Sequence, residues 1–189
     1  MENNKVFNIL FLSNMMEEKG VYTLLEACSI LKRKGIPFIC HFVGKWSDIT
    51  QETFNKKVKD LDIAKNVIAH GAKYGNDKMP YLQQANTLVF PTFYHNETFG
   101  LVLLEAMEYS IPCISTNEGG IPEVIDNGIT GYIVEKKNPQ ALADKIEILI
   151  NNPDLCKSMG KAGKKKFLAE FTLDKFENRL KDILIRNIQ

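Results

Sequence analysis

The sequence predicts an α/β fold: a Rossmann-like parallel six-stranded sheet with helices on both faces and a helical C-terminal tail. Up to Pro139, short apolar segments alternate with amphipathic ones, which is typical of a parallel sheet covered by helices. After Pro139, apolar residues recur at the three- and four-residue spacing of helices. A length of 189 residues suits one domain with a sizeable core. We therefore treat residues 1–189 as a single domain.

Each predicted strand is a short apolar run that ends at a turn or loop signal. The six predicted strands are residues 6–12, 38–43, 67–69, 87–90, 113–115 and 131–134. Gly44 ends the second strand, and Pro91 ends the fourth because proline cannot donate a ladder hydrogen bond. Between the strands we predict helices from about residue 20, over 49–61, over 78–84 and from 101 onward.

The tail is predicted to contain three helices, over residues 140–150, 153–170 and 173–188. Pro139 and Pro153 fit helix starts, where the missing N–H does no harm. The apolar residues at helical spacing in the first and third of these helices are expected to face a core. These residues are Leu142, Ile146, Leu149, Ile150, Phe176, Leu180, Ile183 and Leu184.

Composition excludes several classes of function. The 24 basic and 23 acidic residues nearly cancel, which gives no bulk electrostatic reason to expect a nucleic-acid partner. The four cysteines lack C-x-x-C spacing, so we expect them to be reduced and mostly buried, as in a cytoplasmic protein. No apolar run approaches the roughly 20 residues of a membrane span, and no signal segment opens the sequence.

The stretch 95–125, HNETFGLVLLEAMEYSIPCISTNEGGIPEVI, combines features that core packing alone does not require. The helix predicted from Leu101 is apolar on every side except at Glu105. A carboxylate in such a helix is costly to desolvate unless donors meet it. The hydroxyls of a ligand would serve, and so would a neighbouring backbone group or a lysine.

The residues before this helix favour a ligand. Thr98, Phe99 and Gly100 lie where a loop becomes the first helical turn, so their N–H groups lack intrahelical partners and share the positive end of the helix dipole. Gly100 has no Cβ and lets a ligand approach the backbone. At about 1.5 Å per residue, Glu105 lies roughly 7.5 Å along the axis from Gly100, about the span from a diphosphate to its ribose.

The spacing of Glu97 and Glu105, with Phe99-Gly100-Leu101 between them and GGIPEVI after the next strand, resembles the E-x7-E signature of retaining glycosyltransferases. More specifically it resembles glycosyltransferase family four, whose members have the glycosyltransferase-B fold of two Rossmann domains. The resemblance runs from Lys19-Gly20 to the last helix and corresponds to the donor-binding C-terminal half of such an enzyme.

The resemblance implies retaining transfer of a hexosyl group from a UDP-, GDP- or ADP-sugar to an acceptor hydroxyl, in glycan or polysaccharide biosynthesis. The donor is thus a partner, the acceptor-binding N-terminal domain is missing, and neither a cofactor nor a metal is expected. We also expect no nucleic-acid partner. Peripheral membrane contact of the full-length enzyme stays open, although the lysines at 164–166 are read as a solvated helix face.

The same resemblance implies roles for individual residues. Glu97 and Lys19 are the catalytic candidates: Glu97 contacts hydroxyls of the donor sugar, and Lys19 grips the diphosphate. Glu105 holds the ribose hydroxyls. The remaining expected contacts to the nucleotide sugar are Asn14, Ala72, Phe99, Gly100 and Leu101. Asn14 stands where the family's G-R-L-x-x-x-K-G segment has arginine, so diphosphate binding should depend more on Lys19 and on backbone amides.

Ala72 belongs to the loop 70–75, which corresponds to the region that holds the nucleobase, and Tyr74 of this loop is a candidate to stack on it. Thr98 replaces a glycine usual in the family. Asp60 and Asp62 have D-x-D spacing, but they end a charged helix and are read as a solvated pair. A dehydrogenase is excluded because no G-x-G-x-x-G follows the first strand.

Two functions remain open at this point. The chain is either the donor domain of an enzyme or a non-catalytic nucleotide-sugar-binding subunit that needs a separate acceptor-domain chain. In the family the last helix packs across the domain boundary. The apolar face formed by Phe176, Leu180 and Ile183 is therefore expected to be partly exposed.

Overall fold

The protein was analysed as a computed structural model, which describes residues 6–186. One parallel sheet of six strands, in the order β3-β2-β1-β4-β5-β6, forms its centre. The strands are β1 (Phe7–Leu12), β2 (Phe38–Val43), β3 (Val67–Ala69), β4 (Thr87–Phe90), β5 (Cys113–Thr116) and β6 (Gly131–Val134). The order reverses between β1 and β4, which is the point where open parallel sheets bind ligands, outside the carboxyl ends of their strands.

Eight α-helices connect or follow the described strands. They are α1 (Val21–Arg33), α2 (Gln51–Asp60), α3 (Met79–Gln84), α4 (Leu101–Glu108), α5 (Ile121–Val124), α6 (Pro139–Asn151), α7 (Pro153–Glu170) and α8 (Leu173–Arg186). Short 3-10 turns at Glu17–Lys19 and Gly75–Lys78 precede α1 and α3.

The sheet is covered on both faces. Every residue of β4 and β5 is buried, and because alternate residues of a strand point to opposite faces, both faces must be covered there. Helix α1 packs against α6, and α4 packs against α7. These observations confirm the predicted α/β class, the six parallel strands and the helical tail.

The predicted boundaries differ from the observed ones by one residue at several ends. Strand β1 begins at Phe7, β5 extends to Thr116, and α6 begins at Pro139. The predicted end of the last helix, at residue 188, lies outside the described residues. Helix α5 was not predicted: it is a single turn that begins at Ile121, with proline as its second residue.

The last helix corrects one prediction. Leu142, Ile146 and Leu149 of α6 are fully buried, as expected. By contrast, the residues of α8 that were predicted to face a core, Phe176, Leu180, Ile183 and Leu184, are between 45% and 62% exposed. Helix α8 follows α7 and contacts its end, and one neighbouring helix cannot cover a full apolar stripe. The separate expectation of an exposed apolar face on this helix is confirmed.

All four cysteines are reduced and buried, which confirms the prediction made for them. Burial raises the pKa of Cys113 to about 12 and that of Cys156 to about 11. The pKa of Cys40 is also raised, by burial and by its contact with Cys28. Between residues 6 and 186, no helix is long and apolar enough to cross a membrane.

Candidate functional site

The loops that follow β1, β2 and β3 are joined by backbone hydrogen bonds at the carboxyl edge of the sheet. The Ser13 N–H donates to Val43 O over 3.1 Å, and the Gly44 N–H donates to Gly71 O over 3.0 Å. A Cβ on Gly44 would lie 1.7 Å from Ser13 O, so only glycine allows these two loops to approach so closely. The three loops therefore form one continuous surface beside the point between β1 and β4 where the strand order reverses.

Lys19 is held at the start of α1 by the loop after β4. Gly20, with φ of 86°, packs so tightly that a Cβ there would lie 2.2 Å from Pro91 O. The Phe93 N–H donates to Glu18 O over 2.7 Å and ties the same two loops together. The Lys19 ammonium lies 4.3 Å from the centre of the Tyr94 ring, a cation–π contact. Lys19 is thus fixed within reach of the loop that leads into α4.

The carboxylate of Glu97 connects Lys19 to the amino end of α4. Glu97 Oε2 lies 2.8 Å from Lys19 Nζ, and the two side chains are 11% and 14% exposed. Glu97 Oε1 accepts a hydrogen bond from the Gly100 N–H over 3.2 Å. Both groups that the sequence assigned to a diphosphate therefore contact one carboxylate of the chain itself. A cation and a helix amide converge here, which is the chemistry of an anion site.

The loop after β5 packs against the backbone of the loop that carries Glu97. The Gly120 N–H donates to Thr98 O over 2.8 Å, and a Cβ on Gly119 would lie 1.9 Å from Glu97 O. Phe99 is half-buried, with its ring edge-to-face against Phe171 at 5.6 Å. The GGIPEVI segment thus supports the backbone that carries Glu97.

Glu105 lies further along α4 in a different environment. Its Oε1 is 2.7 Å from Lys78 Nζ, and the Glu105 side chain is 31% exposed. Its other oxygen, Oε2, is buried and has no hydrogen-bond partner among the described residues. The lysine partner considered from the sequence is therefore present, and one carboxylate oxygen still lacks a donor.

A pocket of about 150 Å³ lies beside Glu105. Its lining comes from the loops after β1, β2 and β3 and from α4: Leu12, Ser13, Asn14, Val43, Gly44, Lys45, Ala72, Lys73, Tyr74, Lys78, Val102 and Glu105. Three predicted site residues, Asn14, Ala72 and Glu105, come together here. Tyr74 is 69% exposed at the same pocket.

The predicted residues thus form two clusters on α4. Lys19, Glu97 and Gly100 contact one another at its amino end. Leu101, expected to contribute its backbone amide, has a side chain that is 68% exposed. Leu101 is thus exposed at the first turn of α4, while Leu103, Ala106 and Met107 of the same helix are buried.

Lys45, Lys73 and Lys78 line the pocket and were not singled out from the sequence. The signal that was available for Lys78 is its place at the start of α3. A cation there opposes the helix dipole and calls for a negative partner.

Two histidines lie next to the pocket loops. His41 Nδ1 is 2.9 Å from His70 Nε2, and His41 Nε2 is 3.3 Å from Asn8 Oδ1. Partial burial lowers the pKa of both histidines, and the nearby His41 and Lys73 lower that of His70 further. Both shifts favour the neutral form of the imidazole. His95, in the loop before α4, is exposed.

The remaining charged residues of interest form surface pairs. Asp62 is 94% exposed and lies 2.6 Å from Lys32, which holds the pKa of that carboxyl below its usual range. Lys164 and Lys165 are exposed, as expected for a solvated helix face. Lys166 corrects that expectation, because its side chain is only 12% exposed and lies 2.7 Å from Asp126. No group of three or more potential metal ligands occurs within residues 6–186.

Comparison with known proteins identifies the family. The sequence profile of the family described as "Glycosyl transferases group 1" matches residues 2–166. The capsular polysaccharide biosynthesis glycosyltransferase CapM of Staphylococcus aureus is 31% identical over 169 residues, which are 89% of this chain and 43% of that protein. The chain thus spans less than half the length of this curated relative.

Two solved structures show how far the fold is shared. The C-terminal domain of the glycosyl transferase group 1 family protein LpcC of Francisella tularensis superposes with a TM-score of 0.78 at 25% identity, covering 92% of this chain and 95% of that one. Anabaena Alr3699/HepE, solved in complex with UDP and glucose, superposes with a TM-score of 0.85 at 18% identity, covering 96% of this chain and 49% of that one. With the profile match, these findings place the chain among the group 1 glycosyltransferases.

Proposed function

We propose that the chain is the donor-binding domain of a retaining hexosyltransferase of glycosyltransferase family four. It binds a nucleotide-diphosphate sugar and acts in the cytoplasm with an acceptor-binding N-terminal half. The observation that carries this proposal is the pairing of two clusters on one helix. An anion site at the amino end of α4 lies about one and a half turns from a carboxylate with an unpartnered oxygen.

The two clusters suit the two ends of a nucleotide. The Lys19 ammonium and the amides of Phe99, Gly100 and Leu101 bind the diphosphate, and Glu105 accepts hydrogen bonds from the ribose hydroxyls. Asn14 and the backbone of Ala72 lie in the same pocket as Glu105, where they contact the nucleotide. A diphosphate that binds Lys19 releases Glu97, whose carboxylate then accepts hydrogen bonds from the donor sugar.

The same arrangement assists departure of the nucleotide. Negative charge develops on the diphosphate as the bond to the sugar breaks, and fixed donors lower the energy of that charge. Lys19 and the amide dipoles at the start of α4 supply such donors without a metal. Glu97 positions the sugar, and the acceptor hydroxyl comes from the other domain.

The relatives support a place in polysaccharide synthesis. CapM takes part in capsular polysaccharide biosynthesis, and the matched LpcC structure is a C-terminal domain by itself. The alternative is a nucleotide-sugar-binding subunit that has no activity of its own and joins a separate acceptor-domain chain. The exposed apolar residues of α8 suit contact with an acceptor domain in either arrangement.

Calorimetric titration with UDP, GDP and ADP tests the proposal. We expect one of the three to bind, because the site recognises a diphosphate and a ribose in any of them. UDP, which is bound in the Alr3699/HepE structure, is the first nucleotide to test.

The variant Glu105→Ala should weaken that binding roughly ten-fold, the value of a charge-assisted hydrogen bond. The matched control is Glu108→Ala, since Glu108 is an exposed carboxylate on the same helix. Failure of all three nucleotides to bind at millimolar concentration, or equal losses in the two variants, would overturn the assignment.

A further inference from the structure

The pocket beside Glu105 carries more positive charge than a nucleoside needs. Lys45, Lys73 and Lys78 line it, against the single carboxylate of Glu105. Within residues 6–186, Lys45 and Lys73 form no ion pair, while Lys78 pairs with Glu105. A nucleoside is uncharged, so this surplus of cations matches the phosphate groups of a nucleotide.

Lys78 occupies a position that helix formation does not explain. It ends the 3-10 turn Gly75–Lys78 and immediately precedes α3. A cation at the amino end of a helix opposes its dipole and is disfavoured there. Its 2.7 Å contact with Glu105 Oε1 compensates for this cost.

That contact conflicts with the role proposed for Glu105. A carboxylate that holds two ribose hydroxyls bidentately presents both of its oxygens to them. Here Oε1 contacts Lys78, and Oε2 is buried, where a hydroxyl in the pocket does not reach it. Glu105 must therefore turn to present Oε2, and that turn moves Oε1 away from Lys78.

The released ammonium has one obvious new partner. A lysine side chain is a point charge on a flexible four-carbon stem, and the 5′-phosphate of the nucleotide is attached to the same ribose that displaced it. Asn14, which lines the pocket and stands where the family's segment has arginine, carries no charge for this phosphate. Leaving an ammonium unpaired in a partly closed pocket would be unfavourable.

We propose that Lys78 is a diphosphate-binding residue. Lys78 neutralises Glu105 in this structure. When a donor binds, it yields Glu105 to the ribose and binds the diphosphate, supplying the cation that Asn14 lacks. This inference rests on the proposed function, and it adds a residue that determines affinity for the charged part of the donor.

Paired titrations with a nucleoside and its diphosphate test the inference. Uridine and UDP are used first, and guanosine with GDP or adenosine with ADP if one of those diphosphates binds the wild-type protein more tightly. For Lys78→Met we expect about ten-fold weaker binding of the diphosphate, with nucleoside binding unchanged or tighter. The dissociation constant of the nucleoside divided by that of the diphosphate therefore falls about ten-fold. Lys78→Arg should restore most of this ratio.

Lys73→Met is the matched control, because Lys73 lines the same pocket without an ion pair to Glu105 in the described structure. We expect it to change the ratio by less than about three-fold, the effect of a screened charge without direct contact. Thermal melting of each variant checks that it is folded.

Three outcomes would overturn the role of Lys78. One is an equal loss of nucleoside and diphosphate affinity, which indicates a structural role. Another is tighter binding of both ligands, which indicates competition for Glu105 alone. The third is an equal effect of Lys73→Met. If the wild-type protein binds none of the three diphosphates, the proposed function fails first, and that result differs from all three.

Discussion

Glu97 and Glu105 stand eight residues apart, Glu97 in the loop before α4 and Glu105 within that helix, and their surroundings differ. Glu97 is 11% exposed, and both of its oxygens have donors, Lys19 Nζ and the Gly100 N–H. The Glu105 side chain is 31% exposed. Its Oε1 contacts Lys78 Nζ, and its Oε2 is buried without a partner among the described residues. Glu97 therefore fills an anion site until an external anion competes for it. Glu105 keeps one oxygen, Oε2, that has no donor among the described residues.

The largest expected effect comes from removing the cation at the first of these sites. Lys19→Ala leaves the Glu97 carboxylate nearly buried without its charge partner. We expect the free energy of unfolding to fall by about 1–3 kcal/mol, the cost of an unsatisfied buried group. Nucleotide diphosphate affinity should fall roughly ten- to a hundred-fold, because a charge-assisted contact is lost.

Urea denaturation and calorimetry measure these two quantities. The double variant Lys19→Ala, Glu97→Gln separates them, since it removes the stranded charge but leaves the anion site without its cation. Stability should recover, and nucleotide diphosphate affinity should stay below that of the wild-type protein. Unchanged stability and affinity in Lys19→Ala would mean that the ion pair contributes to neither folding nor binding.

A smaller effect is expected at the glycine that starts α4. Gly100 has φ of 68°, and a Cβ there would meet Leu103 Cδ1 at 3.0 Å. Gly35 has a similar φ of 72° with nothing within 4 Å of a Cβ, so Gly35→Ala is a matched control. Each alanine should cost about 1–2 kcal/mol of stability for its left-handed backbone. Only Gly100→Ala should also weaken nucleotide binding, by a few-fold, as the titration can show.

Equal losses of nucleotide affinity in Gly35→Ala and Gly100→Ala would contradict the claim that a ligand approaches the backbone at Gly100. A loss of stability in both variants without any loss of affinity would contradict it too.

The sequence predicted the sheet well because each strand is a short apolar run bounded by glycine, proline or polar residues. Glu97 and Glu105 could be singled out from the sequence as candidate site residues, since both occur within one short motif. The residues that pair with these carboxylates were harder to predict. Lys78 is 27 residues from Glu105 in the chain, and the fold alone brings the two within 2.7 Å.

Helix α8 shows where a prediction from apolar periodicity fails. Its apolar spacing predicts a buried face, as it does correctly for α6, yet Phe176 and Leu184 are 62% and 53% exposed. Periodicity indicates that a helix has an apolar face, and it does not indicate whether the surface that covers this face belongs to the same domain.

The most direct test of the account is the affinity of Glu97→Gln for the nucleotide diphosphate that binds the wild-type protein. Glutamine keeps an oxygen for the Gly100 N–H but removes the charge that holds Lys19. If the carboxylate fills the anion site, calorimetry should show roughly ten-fold tighter diphosphate binding, because the competing charge is gone. Unchanged or weaker binding would contradict the claim that the amino end of α4 is an anion site occupied by Glu97.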